Sequence, residues 1–393
     1  MEIDKTLSIL GCRGIPGNYG GFETFAERLA LYLTEKGWLV TVYCQSDTVQ
    51  QISEEYWNGI RLIQVPSSDS GALASVLFDW KAVAHAARES KLVLTLGYNT
   101  AIFGLVYWVS RVANLINMDG MEWRRQKWKL PEKLWLYMNE WLGCWIGTHL
   151  IADHPAIKEH LSSRVAKQKI TVIPYCEDPV EEADAALLKP YNLVPNEYVL
   201  IIARPEPENH ILEIVSAFSS HPRGYKLVIL GNYRPKKFPY HQQVVKAAGE
   251  EVVFLGAIYD KASVAALRYY ARLYVHGHAV GGTNPSLVEA LAAGSAVLAH
   301  NNPFTRWVAG PGAHYFNHIS DCSTQFDRLL DDSEELQRMR QASLVRYWEE
   351  FSEQRDLKAY EALLTQYAVR SPSEQLPDKA DQLPEVVQSS IEK

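Results

Sequence analysis

Cysteine is scarce in this chain of 393 residues: five, at positions 12, 44, 144, 176 and 322, with no C-x-x-C pair among them. Odd in number and far apart, they argue against a disulfide framework or a thiolate zinc site and suit a reducing compartment. A basic excess is missing too. The net charge of -7 gives no global attraction to nucleic acid, so any polyanion must be met by a local patch. There is no repeat of fixed period. The N-terminal MEIDKTLSIL carries two acids and enters a strand at once, unlike a secretion signal. Long apolar runs are nearly absent as well. The single candidate, LVLTLGYNTAIFGLVYWVS at 92–110, is barely of spanning length. Gly97, Asn99 and Thr100 divide it, so it reads as a buried strand, a polar turn and a buried helix, with no transmembrane segment.

Present throughout is alternation. TLSILGC, WLVTVYCQ, IRLIQVP, KLVLTLGY, ANLINM, LIADH and KITVIPY read as strands with helical stretches between them. The pattern restarts with YVLIIARP, YKLVILGN, VVFLGAI, LYVHGH and SAVLAH. Strands alternating with helices imply parallel sheets covered on both faces. The expected organisation is a first domain over 1–176, a linker over the acidic, proline-containing 177–196, and a second domain over 197–345. The helical block that follows returns to the first domain over 346–370, and 371–393 is poor in large apolar residues and reads as a disordered tail.

Residues 11–23, GCRGIPGNYGGFE, hold five glycines directly after a strand. Bare backbone marks a place where a ligand or another segment comes close. As a dinucleotide fingerprint the stretch is poor: its spacing is G-x-x-G-x-x-G with Pro16 inside, and the acid expected after the second strand is displaced, Gln45 standing ahead of Asp47. An NAD-linked oxidoreductase is therefore the weaker reading.

Three stretches, GCRGIPGNYGGFET, NMDGMEWRRQKW and GGTNPSLVEALAAG, stand in the order seen in bacterial polysaccharide-assembly glycosyltransferases of the retaining GT-B type. The chain resembles most closely the rhamnosyltransferase-like subgroup, over roughly residues 6–365. The resemblance implies an α/β GT-B fold: two Rossmann-like domains facing a central cleft, with a C-terminal helix crossing back. It implies a nucleoside-diphosphate sugar as donor, dTDP-L-rhamnose foremost, no other cofactor, and a saccharide acceptor, lipid-linked by preference. In such a fold the donor lies at the carboxyl ends of the strands. Gly20, Gly21 and Glu23, at a helix start, are expected beside it.

On the second domain, Glu289 matches the second glutamate of the family's E-x7-E pattern, expected on the ribose hydroxyls; Gly281 replaces the first. Backbone N–H groups of Gly282, Thr283 and Asn284 are expected to form an anion-binding nest in its place. Arg204, directly after a strand, is expected to fork onto the diphosphate. Where relatives place a lysine, this chain has Asn209 and His210. A role for Arg204 as an ordinary ion-pair partner stays open. No D-x-D triplet occurs, so leaving-group charge is expected to be met without a metal. His276 and His278 find no third ligand at suitable spacing and read as core or cleft-wall residues.

On the first domain, Asp119 is expected to contact the acceptor or the reacting sugar and Glu122 to position it, with front-face attack needing no enzyme nucleophile. The alternative is ion pairing of both with Arg124 or Arg125. Tyr98 and Asn99 are further wall candidates. Five tryptophans lie between 123 and 145, flanked by Arg124, Arg125, Lys127, Lys129 and Lys133. Such a stretch suits anchoring on anionic lipid, as a lipid-linked acceptor requires, and places the protein in the cytoplasm at the inner face of the membrane; core packing of the aromatic face is the other reading. Nothing resembles a nucleic-acid module. A catalytically silent binding protein and a sugar-nucleotide epimerase on the same fold remain as alternatives.

Overall fold

The computed structural model describes residues 4–17, 21–67, 71–125 and 128–368. They divide into two compact units. Of the described residues, those within 4–119, 130–173 and 357–368 make up the first and those within 120–129 and 174–356 the second.

The strands of the first unit are β1 Thr6–Leu10, β2 Leu39–Ser46, β3 Ser53–Trp57, β4 Ile60–Pro66, β5 Leu92–Leu96, β6 Ala113–Asn117, β7 His149–Ala152 and β8 Ile170–Val172. They form one sheet in the order β3-β4-β2-β1-β5-β6-β7-β8. All pairs are parallel except β3–β4. That hairpin escapes the sequence reading because four of the five β3 residues are exposed and carry no apolar alternation. Its signal was the Asn58–Gly59 dipeptide, whose two positive φ angles, 47° and 82°, suit a two-residue hairpin turn. Helices α1 Gly21–Glu35, α2 Ala72–Glu89, α3 Leu105–Ser110, α4 Leu130–Ile146 and α5 Pro155–Leu161 belong to this unit. The run 92–110 resolves into β5, a 3₁₀ turn at Ala101–Gly104, and α3. No helix among the described residues is long and apolar enough to cross a membrane.

The second unit has β9 Tyr198–Ile202, β10 Lys226–Leu230, β11 Val252–Gly256, β12 Leu273–His276, β13 Val297–His300 and β14 His314–Phe316. Their order, β11-β10-β9-β12-β13-β14, is the Rossmann order with its topological switch between β9 and β12. Its helices are α6 Ile211–Phe218, α7 Pro239–Ala247, α8 Lys261–Tyr269, α9 Pro285–Ala292, α10 Pro303–Ala309, α11 Ile319–Leu329 and α12 Ser333–Glu350. Two apolar clusters lie against this sheet. One is built on Tyr274, Leu287, Val288 and Leu291, the other on Val199, Phe218, Leu227 and Phe326.

The stretch 177–196, expected as a linker, is instead part of the second unit. Its 3₁₀ helix Ala185–Tyr191 buries Leu188 in the core, and the Tyr270 hydroxyl donates to the Ala183 carbonyl at 2.6 Å. The chain passes between units at 119–120, 129–130, 173–174 and 356–357. The last helix, α13 Glu353–Ala368, is separate from α12 and sets Leu357, Tyr360, Leu363 and Leu364 into the first unit's core. There Asn117 Nδ2 donates to the Tyr360 hydroxyl at 2.9 Å. The expected tail at 371–393 lies outside the described residues.

Asp356, in the first turn of α13, is 1% exposed, and its Oδ2 has no partner among the described residues. Burial pushes its carboxyl up to about 8. The folded protein therefore holds this proton more tightly than the unfolded chain, and stability declines as pH rises from about 4 to 8. Asp356→Asn should raise the urea midpoint at pH 8 and leave it nearly unchanged at pH 4. Equal shifts at both pH values would refute the assignment.

Candidate active site

In doubly wound sheets, ligands bind beyond the carboxyl ends of the strands at the switch point. In the second unit those ends are Ile202-Ala203-Arg204 after β9 and His276-Gly277-His278 after β12. The two loops are tied together. Asn209 Nδ2 donates to the Arg204 carbonyl at 2.8 Å, Ala279 N–H to the Glu208 carbonyl at 3.0 Å, and His210 Nδ1 lies 2.8 Å from the Gly277 carbonyl. Gly277 is required here, since a Cβ would sit 2.0 Å from the Asn209 carbonyl oxygen.

Four histidines gather at this edge as two stacked pairs, His276 with His278 at 4.3 Å and His210 with His300 at 4.1 Å between ring centroids. Burial, then the neighbouring Arg204, Arg125 and His210, drives His278 down to about 3. Burial and His210 bring His300 to about 4, and burial and His278 hold His276 well below its ordinary value. At neutral pH these three rings are uncharged, so the cationic charge here comes from Arg204, exposed at the mouth, and from Arg125 near His278. Behind the rings, between His276, His278, Asn284 and Phe304, the free space is about 10 Å³, room for about one water. A ligand larger than a water is thus confined to the mouth.

Helix α9 starts at that mouth. Asn284 caps it, its Oδ1 accepting from Ser286 N–H at 3.0 Å, and Pro285 fits the first helical position. Thr283 is buried, and Gly281 has φ of 142° with open space where a side chain would stand. One turn into the helix, Glu289 Oε2 pairs with the guanidinium of Arg268, whose side chain is 7% exposed against 28% for the glutamate. Ser286 Oγ ties this pair to the sheet, 2.8 Å from the Tyr274 hydroxyl and 3.2 Å from the Ile202 carbonyl. Arg204, Gly282, Thr283, Asn284 and Glu289 therefore all lie on the loops and helix at one sheet edge. Arg268 was missed from sequence: in KASVAALRYY it reads as an ordinary last-turn base of an amphipathic helix.

The first-domain candidates fare differently. Gly21 opens α1, and nothing lies within 4 Å of where its Cβ would stand. The close approaches in this motif belong to Gly11, whose Cβ would meet the Leu96 carbonyl oxygen at 2.1 Å, and Gly14, packed on Cys44. Those glycines serve the chain's own packing. Gly20 lies outside the described residues. Glu23 reaches back to accept from Arg13 N–H at 3.0 Å, bracing the loop. Tyr98 is 1% exposed and belongs to the interior, a correction to its expected place in a wall, whereas Asn99 is exposed. Asp119, two residues past β6, is in the left-handed region, φ 48°, its N–H donating to Asn117 Oδ1 at 2.9 Å. Glu122 pairs with Arg125 at 2.8 Å and accepts from Trp128 Nε1 at 3.3 Å. It falls in the segment 120–129 that belongs with the second unit, where Gly120 packs on Gly281 and Gly282.

Two Rossmann-like parallel sheets in one chain, with this constellation on the second, define the GT-B class of fold. Solved structures share it. The chain is similar to sucrose-phosphate synthase from Thermosynechococcus elongatus (TM-score 0.74, 16% identity, covering 92% of this chain and 98% of that one). It is similar to Anabaena HepE in complex with UDP and glucose (0.72, 15%, 93% and 100%) and to trehalose 6-phosphate synthase from Burkholderia multivorans (0.74, 11%, 96% and 100%). Residues 189–345 match the family described as glycosyl transferases group 1, and residues 4–178 match a domain of unknown function, DUF1972. No curated protein matches the chain.

Proposed function

We propose that this protein transfers a sugar from a nucleoside diphosphate to a saccharide acceptor with retention of configuration and without a metal. The observation that carries the reading is the gathering of Arg204, the capped loop 281–284 and Glu289 at the switch point of the region that matches glycosyl transferases group 1. A diphosphate at that mouth meets the Arg204 guanidinium and the amides that open α9, whose dipole favours negative charge. Glu289, oriented by Arg268, accepts from the ribose hydroxyls. As the glycosidic bond breaks, charge grows on the leaving diphosphate, and Arg204 and the loop amides stabilise it without reorganising. The neutral histidines behind them add no positive charge of their own beside Arg204. Asp119 contacts the acceptor or reacting sugar in this reading, and Glu122, paired with Arg125, acts on the positioning of its own loop. HepE, solved with UDP and with UDP-glucose, is the precedent among similar folds for a nucleotide-sugar ligand.

Motif resemblance favours dTDP-L-rhamnose as donor. Thermal unfolding tests this: dTDP at about a hundred times its dissociation constant adds about 2.7 kcal/mol, and the expected order is dTDP above UDP and GDP. No response to any of the three would overturn the nucleotide reading.

The acceptor in this proposal is lipid-linked. Its support is a face of the first unit where α2, the 3₁₀ turn, α3 and α4 adjoin. Leu73, Leu77, Trp80, Trp108, Val109 and Leu134 are exposed on it, with Arg111 exposed and Lys133 partly so. Large exposed apolar patches mark interaction sites, and tryptophan beside basic residues suits an anionic interface. The expected anchor at 123–145 thereby widens to three helices. Trp108→Ser with Val109→Ser should abolish co-sedimentation with phosphatidylglycerol-containing vesicles while sparing dTDP binding. Unchanged sedimentation would remove the membrane from the proposal.

A further inference from the structure

The histidines at the edge of the second sheet offer different nitrogens to a ligand, and their surroundings decide which ones carry protons. His210 Nδ1 lies 2.8 Å from the Gly277 carbonyl. A carbonyl only accepts, so this nitrogen is the protonated one, and the neutral ring keeps a bare Nε2. His276 is 1% exposed, and both its nitrogens are buried without a partner among the described residues. It reaches no ligand. His278 differs from both: it is partly exposed, and of its two nitrogens Nδ1 is the buried, unpartnered one. In folded proteins a buried N–H without an acceptor is rarer than an under-used acceptor. The proton of the neutral His278 ring therefore belongs on Nε2, where a partner can reach it.

That ring is held in place. It stacks on His276 at 4.3 Å with 12° between the ring planes, and the His278 carbonyl accepts from Asn302 Nδ2 at 2.9 Å. Gly282 and Asn284, from the loop that opens α9, share a wall with it. Charge then narrows what its N–H can meet. The arginines that act on His278 are Arg204 and Arg125. Arg125 is matched by Glu122 at 2.8 Å, whereas Arg204 pairs with no carboxylate among the described residues. An unmatched guanidinium beside an outward N–H calls for an anion with several acceptor oxygens. A neutral imidazole adds a donor to such a site without adding charge.

We propose that His278 Nε2–H donates a hydrogen bond to the diphosphate of a bound nucleoside diphosphate, as the neutral companion of Arg204. This rests on the donor reading above. The full chain is titrated by calorimetry with dTDP, UDP and GDP, and the tightest binder of the three serves as probe. His278→Phe should weaken the probe about tenfold or more, the loss of a hydrogen bond to a charged acceptor. His278→Gln, which restores an amide N–H near the same point, should stay within about threefold of the parent. A packing role alone would rank the two variants the other way, since phenylalanine keeps a planar ring against His276 and glutamine does not. Nitrogen-15 NMR of the histidines in the parent protein makes the test independent of how either variant folds. The His278 proton should sit on Nε2, and its resonance should move downfield when the probe binds. The inference falls if His278→Phe binds the probe as the parent does, or if the proton sits on Nδ1. Either result spares the donor reading, which the parent's own nucleotide binding decides. Should none of the three nucleotides bind the parent, both fall together.

Discussion

Gly11→Ala is expected to destabilise the first unit by about 3 kcal/mol or more, from backbone strain of about 1–3 kcal/mol together with overpacking of similar size. Gly11 holds φ of 91°, and its Cβ would stand 2.1 Å from the Leu96 carbonyl oxygen, a backbone atom that cannot step aside without breaking the β1–β5 ladder. Gly21→Ala, ten residues on in the same motif, is the matched control. Its Cβ would meet nothing, and alanine in a helix is favoured over glycine by about 0.5–1 kcal/mol. Urea unfolding of the two variants separates two uses of one glycine-rich stretch. A stable Gly21→Ala protein with reduced sugar transfer would mean that bare backbone there serves a ligand. A Gly11→Ala protein as stable as its parent would refute the packing role.

Glu289→Ala is expected to lower transfer about a hundredfold, the size of losing a strong preorganised contact, and to cost about 3 kcal/mol of stability. The second effect follows because Arg268 would keep its charge in a buried site with its partner gone. The two effects separate in the double variant. Arg268→Met removes the stranded charge, so Glu289→Ala with Arg268→Met should recover most of the stability and none of the activity. Because the residues touch, non-additivity is expected and its size measures the pairing. Full activity in the Glu289→Ala protein would overturn the role proposed for it at the ribose.

Local chemistry dictated a good deal of this molecule. Twelve stretches of apolar, β-rich residues between helical segments were readable as strands, because burial on both faces demands continuous apolar runs of that length. The loop GGTNPS before α9 was readable too, since Asn and Pro cap and open helices by rules that act within three residues. The edge strand β3 escaped because it buries almost nothing. What no local rule could supply were partnerships across long sequence separations, Arg268 with Glu289, His210 with His300 and Asn117 with Tyr360, and the assignment of 120–129 to the second unit. Periodicity tells a residue which way to face; which side chain waits there depends on strand order and packing, and these arise only when the whole chain closes on itself.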